Sequence, residues 1–95
     1  MDRRYIGLSE ELVSKIEGEG FEDAFGEEKI RDQLRSSSHQ KARLSGMMAD
    51  LKQKLRDVEE WLRPFPQDAY ISDLLKRRAA CEKKIDKLRD IINSY

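Results

Sequence analysis

The chain has little of what chain reversals and covalent cross-links require. Of its 95 residues, one is cysteine, two are proline and five are glycine. A lone thiol, Cys81, forms no internal disulfide and suits a reducing compartment, so a cytoplasmic location is expected. So few prolines and glycines exclude a β-sandwich, a barrel or a βαβ fold, each of which needs many turns. No apolar run approaches the ~18 residues of a membrane span. The opening Met1-Asp2-Arg3-Arg4-Tyr5 lacks the apolar stretch of a secretory signal. An excess of one charge is missing too, because 19 basic and 19 acidic residues cancel.

What is present is charge and helical periodicity. Charged residues make up 40% of the chain and hydrophobic ones 38%, against about 25% and 45–50% in ordinary soluble domains. The length fits one small domain, or a fragment that completes itself on a partner.

Three segments separate. In residues 1–17, Leu8, Leu12, Val13 and Ile16 recur at helical spacing, with Ser9 as the expected N-cap. Residues 18–26 hold three glycines among acidic neighbours and read as a loop or hinge carrying Phe21 and Phe25. From residue 27 a long helical stretch runs to Leu62. From Leu44 its apolar residues, Met48, Leu51, Leu55, Val58 and Leu62, follow steps of 4, 3, 4, 3 and 4, a heptad seam. The stripe fails across Ser36-Ser37-Ser38-His39-Gln40-Lys41, where a weak helix, a kink or a break is expected.

The turn is predicted at 63–68. Pro64 disfavours helical geometry at Arg63, and Asp68 is the expected N-cap of the last helix. Along that helix Ile71, Leu74, Cys81, Ile85, Leu88, Ile92 and Tyr95 keep the seam, and Leu75 and Ile91 widen it. Arg78 sits where the frame asks for an apolar residue. Its stem is expected to pack while its head reaches Glu59 or Asp57; the alternative is a register or partner-selecting role.

The predicted fold is therefore all-α: an N-terminal amphipathic segment and acidic arm (1–26), then an antiparallel two-helix hairpin (27–95). Folding about the turn sets Leu62 against Ile71, Val58 against Leu74, Leu51 against Cys81, Met48 against Ile85 and Leu44 against Leu88. A two-helix hairpin buries one stripe per helix, too little to offset the ordering of fifty-odd residues. Further helices are needed, from residues 8–17, a second copy or another protein. Completion by a homo-oligomer or a partner is the leading expectation, and a single-chain three-helix bundle is the alternative.

No catalytic, cofactor or metal site is expected. Catalysis needs convergent groups, yet the single His39 lies in the polar break and Cys81 on the seam, facing Leu51. Metal sites built on Cys and His need three or four ligands in close array. No glycine-rich phosphate loop exists. Charge is more informative. Residues 1–36 hold 6 basic and 10 acidic residues, a net −4; residues 37–95 hold 13 and 9, a net +4. One consequence is a nucleic-acid-binding last helix using Lys76, Arg77, Lys83, Lys84 and Lys87. Another is that the acidic N-terminal segment folds over the basic helix, within the chain or between copies. For a non-enzymatic protein–protein interaction module (an adaptor, chaperone or assembly subunit), the candidate contacts are Phe21, Phe25, Ile30 and Leu34, which project beyond the hairpin. Trp61, Phe65, Leu75 and Ile91, which flank the seam, complete the set.

Residues 44–95 resemble the small helical-hairpin proteins of bacterial type III secretion, the needle subunits and their co-chaperones. The shared features are a helix ending in Pro64-Phe65-Pro66-Gln67, Tyr70 early in the next helix, and an end soon after Ile91-Ile92. The resemblance implies a non-enzymatic protein that binds another secretion component through its hairpin face. The chain departs from that pattern at Ile71, where needle subunits tend to carry Gln, and in its acidic arm.

Overall fold

The computed structural model describes residues 3–65 and 68–95, and every regular element in them is helical. There are five: α1 (Arg3–Glu17), α2 (Glu19–Phe25), α3 (Glu27–Ser36), α4 (Gln40–Leu62) and α5 (Ala69–Asn93). None is long and apolar enough to cross a membrane.

α4 and α5 form the backbone of the molecule. They run antiparallel, as the cross-pairs Lys52–Asp86, Arg56–Glu82 and Arg78–Glu59 show by rising on one helix while falling on the other. α4 stops where the sequence demands: the Arg63 N–H still donates to the Glu59 carbonyl, and Pro64 follows. Pro66 and Gln67, the rest of the predicted turn, lie outside the described residues. Asp68 then caps α5, its Oδ1 accepting from the Tyr70 and Ile71 N–H groups at 2.9 and 3.2 Å.

The predicted seam is buried at Leu44, Met48, Leu55, Val58 and Leu62, and across it at Ile71, Leu74, Cys81, Ile85, Leu88 and Ile92. Two positions depart from it: Leu51 is only half-buried, packed against the core cluster from its margin, and Tyr95, past the end of α5, is 47% exposed.

The N-terminal third differs from its sequence reading in three ways. First, α1 starts at Arg3, so Ser9 is not a cap. It lies inside the helix and is buried, its Oγ donating to the Tyr5 carbonyl one turn earlier. Second, residues 18–26 are not a loop. Gly18 and Gly26 are extended, and between them α2 makes nearly two turns, with Glu19 and Glu22 at its positive end. Hydrogen bonds from Gly26 N to the Glu22 carbonyl (2.8 Å) and from Ile30 N to the Gly26 carbonyl (2.9 Å) carry the chain across the second bend. Third, the helix predicted to run from residue 27 to Leu62 is divided. Ser37 is extended, and its hydroxyl and carbonyl accept from the His39 and Gln40 N–H groups. The polar gap in the heptad pattern is thus a true break.

α1, α2 and α3 together form a bent arm laid along the hairpin. Tyr5 stacks on Trp61 near the end of α4, and Lys87 near the end of α5 pairs with Glu27 at the start of α3. The arm therefore runs antiparallel to α4 and parallel to α5. It contributes Val13, Ile16, Phe21, Ile30 and Leu34 to the same core cluster as the hairpin residues. The molecule is an elongated bundle, 46 × 21 × 19 Å. The extra helices that a bare hairpin needs come from the chain itself, so the apolar positions expected to await a second copy are largely filled.

Candidate interaction surfaces

The basic side of α5 is covered by carboxylates from the arm. Arg77 grips Glu17, with Nη2 at 2.6 Å and Nε at 3.2 Å from both carboxylate oxygens. One helical level further, Lys84 pairs with Glu22 at 3.1 Å and donates to the Ile16 carbonyl at 3.1 Å, and its ammonium stands 5.1 Å from the Phe21 ring centre. Lys87 meets Glu27 at 2.8 Å. At the other end the Tyr70 hydroxyl donates to Glu10. The acidic segment does fold over the basic helix, within one chain.

These contacts shift the titrating groups in the directions their geometry requires. The hydrogen bond from Arg77 holds the Glu17 carboxyl below its ordinary value, and that from Lys87 does the same for Glu27. Arg77 is raised by its bond to Glu17. Tyr70 is raised because its proton is shared with Glu10. Burial pushes the Cys81 thiol up; its Sγ donates to the Val13 carbonyl at 3.7 Å, beneath the arm.

For the nucleic-acid alternative, this arrangement occupies three of the five candidate cations. Arg77, Lys84 and Lys87 hold carboxylates, while Lys76 and Lys83 remain exposed.

The partner-contact candidates divide in two. Phe21, Ile30, Leu34 and Ile91 are buried inside the bundle. The expectation that Ile30 and Leu34 project free of the hairpin is corrected: the broken helix folds α3 back onto α5. Phe25, Trp61, Phe65 and Leu75 are half-buried at the margin of the core. Phe25 rests on Phe21, ring centres 5.3 Å apart.

Four large apolar residues among those described stay in solvent: Leu8 is 53% exposed, Tyr95 47%, Tyr70 46% and Tyr5 42%. Tyr5 lies on Trp61, ring centres 4.9 Å apart, with Leu8 one turn further along that flank of α1, while Tyr70 reaches Glu10 on the opposite flank. The sequence placed Leu8 on the apolar stripe of α1; the helix instead turns Ser9, Val13 and Ile16 inward and leaves Leu8 in solvent.

Among the described residues, no group of three His, Cys, Asp or Glu is placed to hold a metal ion. No protein-family model, curated protein or solved structure matches the chain.

Proposed function

We propose that the chain is a non-enzymatic helical protein–protein interaction module, of adaptor or chaperone type, that engages its partner at the turn end. The supporting observation is the exposure of Tyr5, stacked on the half-buried Trp61, and of Leu8 one turn further along α1, with Tyr70 exposed on the other flank of α1. Tyrosine and tryptophan supply large contact area with few rotamers to freeze, and they dominate binding energy where a partner shields them from water. Apart from Tyr95, the apolar stripe elsewhere is spent on the core.

The test is a photo-crosslinker placed at Arg4, next to the patch, in cells of the native source. Wild-type chain should capture a discrete partner, and the double variant Leu8→Ser/Tyr70→Ser should lose it while keeping its helical circular dichroism. Identical capture by the variant would overturn the assignment.

A further inference from the structure

The arm and the hairpin are joined at one point. Only Ser37, Ser38 and His39 lie between the end of α3 and the start of α4. The ion pairs that hold the arm down, Glu17–Arg77, Glu22–Lys84 and Glu27–Lys87, all run between the two pieces that this join connects.

The join departs little from helix. The Ser37 N–H still donates to the Gln33 carbonyl at 3.2 Å, as it would in a continuing helix. His39 already has helical angles, φ −70° and ψ −23°. Ser37, with φ −156° and ψ 126°, is the extended residue that turns the chain. Locally, its hydroxyl and carbonyl hold the turn by accepting from the His39 and Gln40 N–H groups at 3.3 and 3.2 Å.

Little specifies a helix start after the turn. α5 opens on the Asp68 cap. α4 opens on His39, whose side chain caps nothing, and its first turn holds Lys41 and Arg43 with no acid. Cations beside free N–H groups oppose the helix dipole. Joining α3 to α4 would supply those N–H groups with carbonyls from α3. The joined helix would begin at Glu27 and Glu28, where acids are favourable.

The arm runs antiparallel to α4. When α3 and α4 become one helix, the arm extends past Gln40, away from its own hairpin. A second copy, related by a two-fold axis at the join, places its hairpin there with its α4 antiparallel to the first. The arm then meets the second hairpin in the same direction as it meets its own, so the three ion pairs re-form between copies. The bends at Gly18 and Gly26 are unaffected. The cross-pairs Lys52–Asp86 and Arg56–Glu82 put Tyr95 level with Arg43, so its exposed ring lies at the end where the two copies meet.

We infer that Ser37 is a hinge that decides whose arm covers the hairpin. Closed, each hairpin carries its own arm; opened, it carries the arm of a second copy in a two-fold exchanged dimer. Exchange through a short connection reuses the existing interface, which confines its cost to the hinge. The inference is independent of what the aromatic end binds.

Sedimentation of the full chain across concentration tests it. An arm tethered by a short connection has an effective concentration on the order of millimolar, so wild type should stay monomeric below about a millimolar. Ser37→Ala/Ser38→Ala favours helix at both hinges of a dimer and should lower the dimerisation midpoint about thirtyfold. Ser37→Gly/Ser38→Gly should raise it. To show exchange, Glu17→Arg and Arg77→Glu are each combined with the alanine pair, and the two chains are mixed, one of them isotope-labelled. Only the mixed dimer matches both junctions, so native mass spectrometry should find it in excess over the two homodimers. If the alanine pair fails to fold, the same mixture in the wild-type background at millimolar concentration should give the same excess. An alanine variant that stays monomeric, a midpoint indifferent to alanine or glycine, or a dimer assembled at random from the two charge variants would each overturn the proposal.

Discussion

Glu17 and Arg77 stand sixty positions apart in the chain and meet at 2.6 Å; Glu10 and Tyr70, one heptad earlier on both helices, keep the same offset and are hydrogen-bonded. A constant offset over a heptad means that α1 and α5 run side by side at a shallow angle. The acidic arm is therefore in register with the basic helix, not loosely attracted to it.

Register can be tested by charge exchange. Glu17→Arg and Arg77→Glu should each destabilise the bundle, and the double exchange should recover most of the loss. The pair is over a third exposed on the glutamate side, so solvent screening limits the coupling to roughly 0.2–1 kcal/mol. Urea unfolding of the four proteins supplies the cycle. Additive losses would place the two residues out of contact.

Acid should loosen the arm. Glu17 and Glu27 have folded values held below the ordinary 4.5. For a depressed carboxyl the stabilisation is fully present above the unfolded value and disappears as pH falls through the folded one. Urea midpoints should therefore be flat down to about pH 4.5 and fall below it, with Glu17→Gln/Glu27→Gln flattening the fall. A double variant that keeps the full acid dependence would locate its source elsewhere.

Two leucines one turn apart on α4 should behave differently. Leu55 is fully buried and Leu51 half-buried at the core margin. Leu55→Asp should abolish cooperative unfolding, because an unpaired buried charge is among the costliest single changes. Leu51→Asp should leave a folded, weakened protein, since its carboxylate can reach water. Circular dichroism melts distinguish the two, and equal damage would contradict the difference in burial.

Glycines at the bends and within helices should diverge as well. A Cβ at Gly26 would lie 2.6 Å from the Glu22 carbonyl oxygen, while one at Gly20 or Gly46 meets nothing within 4 Å. Gly26→Ala should cost roughly 1–3 kcal/mol as an overpacked site. Gly20→Ala and Gly46→Ala should each stabilise by up to about 1 kcal/mol through helix propensity. Unfolding midpoints check all three, and a neutral Gly26→Ala would show that the bend yields.

Much of this architecture is legible in the sequence because α4 and α5 obey one rule over most of their length, Leu51, Arg78 and Tyr95 excepted. Their seam positions, the stop at Pro64 and the Asp68 cap are local signals that tertiary structure leaves intact. The serine-rich gap in the heptad frame likewise marked where α3 and α4 part. The arm was harder to read for a physical reason. Gly18 and Gly26 resemble loop signals, yet their backbones stay compatible with helices on either side, and Phe21 and Ile30 gain enough burial on α5 to fix a short helix there. Periodicity within one segment cannot report that another segment covers it. The charge imbalance between the halves was the one sequence feature pointing to that cover. Ile30, Leu34 and Ile91 looked free for a partner only while the arm's position was unknown. Conversely, Leu8 was read as part of the buried stripe of α1, and only the packing of α1 on α4 and α5 shows that it stays in solvent.

The packing of the arm on its own hairpin can be observed directly from the contact between the Tyr5 and Trp61 rings, 4.9 Å apart. In a sample mixing isotope-labelled and unlabelled chains, ring-to-ring nuclear Overhauser effects should appear within labelled chains and vanish from the filtered spectrum that reports contacts between chains. Effects seen only in that filtered spectrum, or none at all, would show that the third helix of the bundle comes from elsewhere.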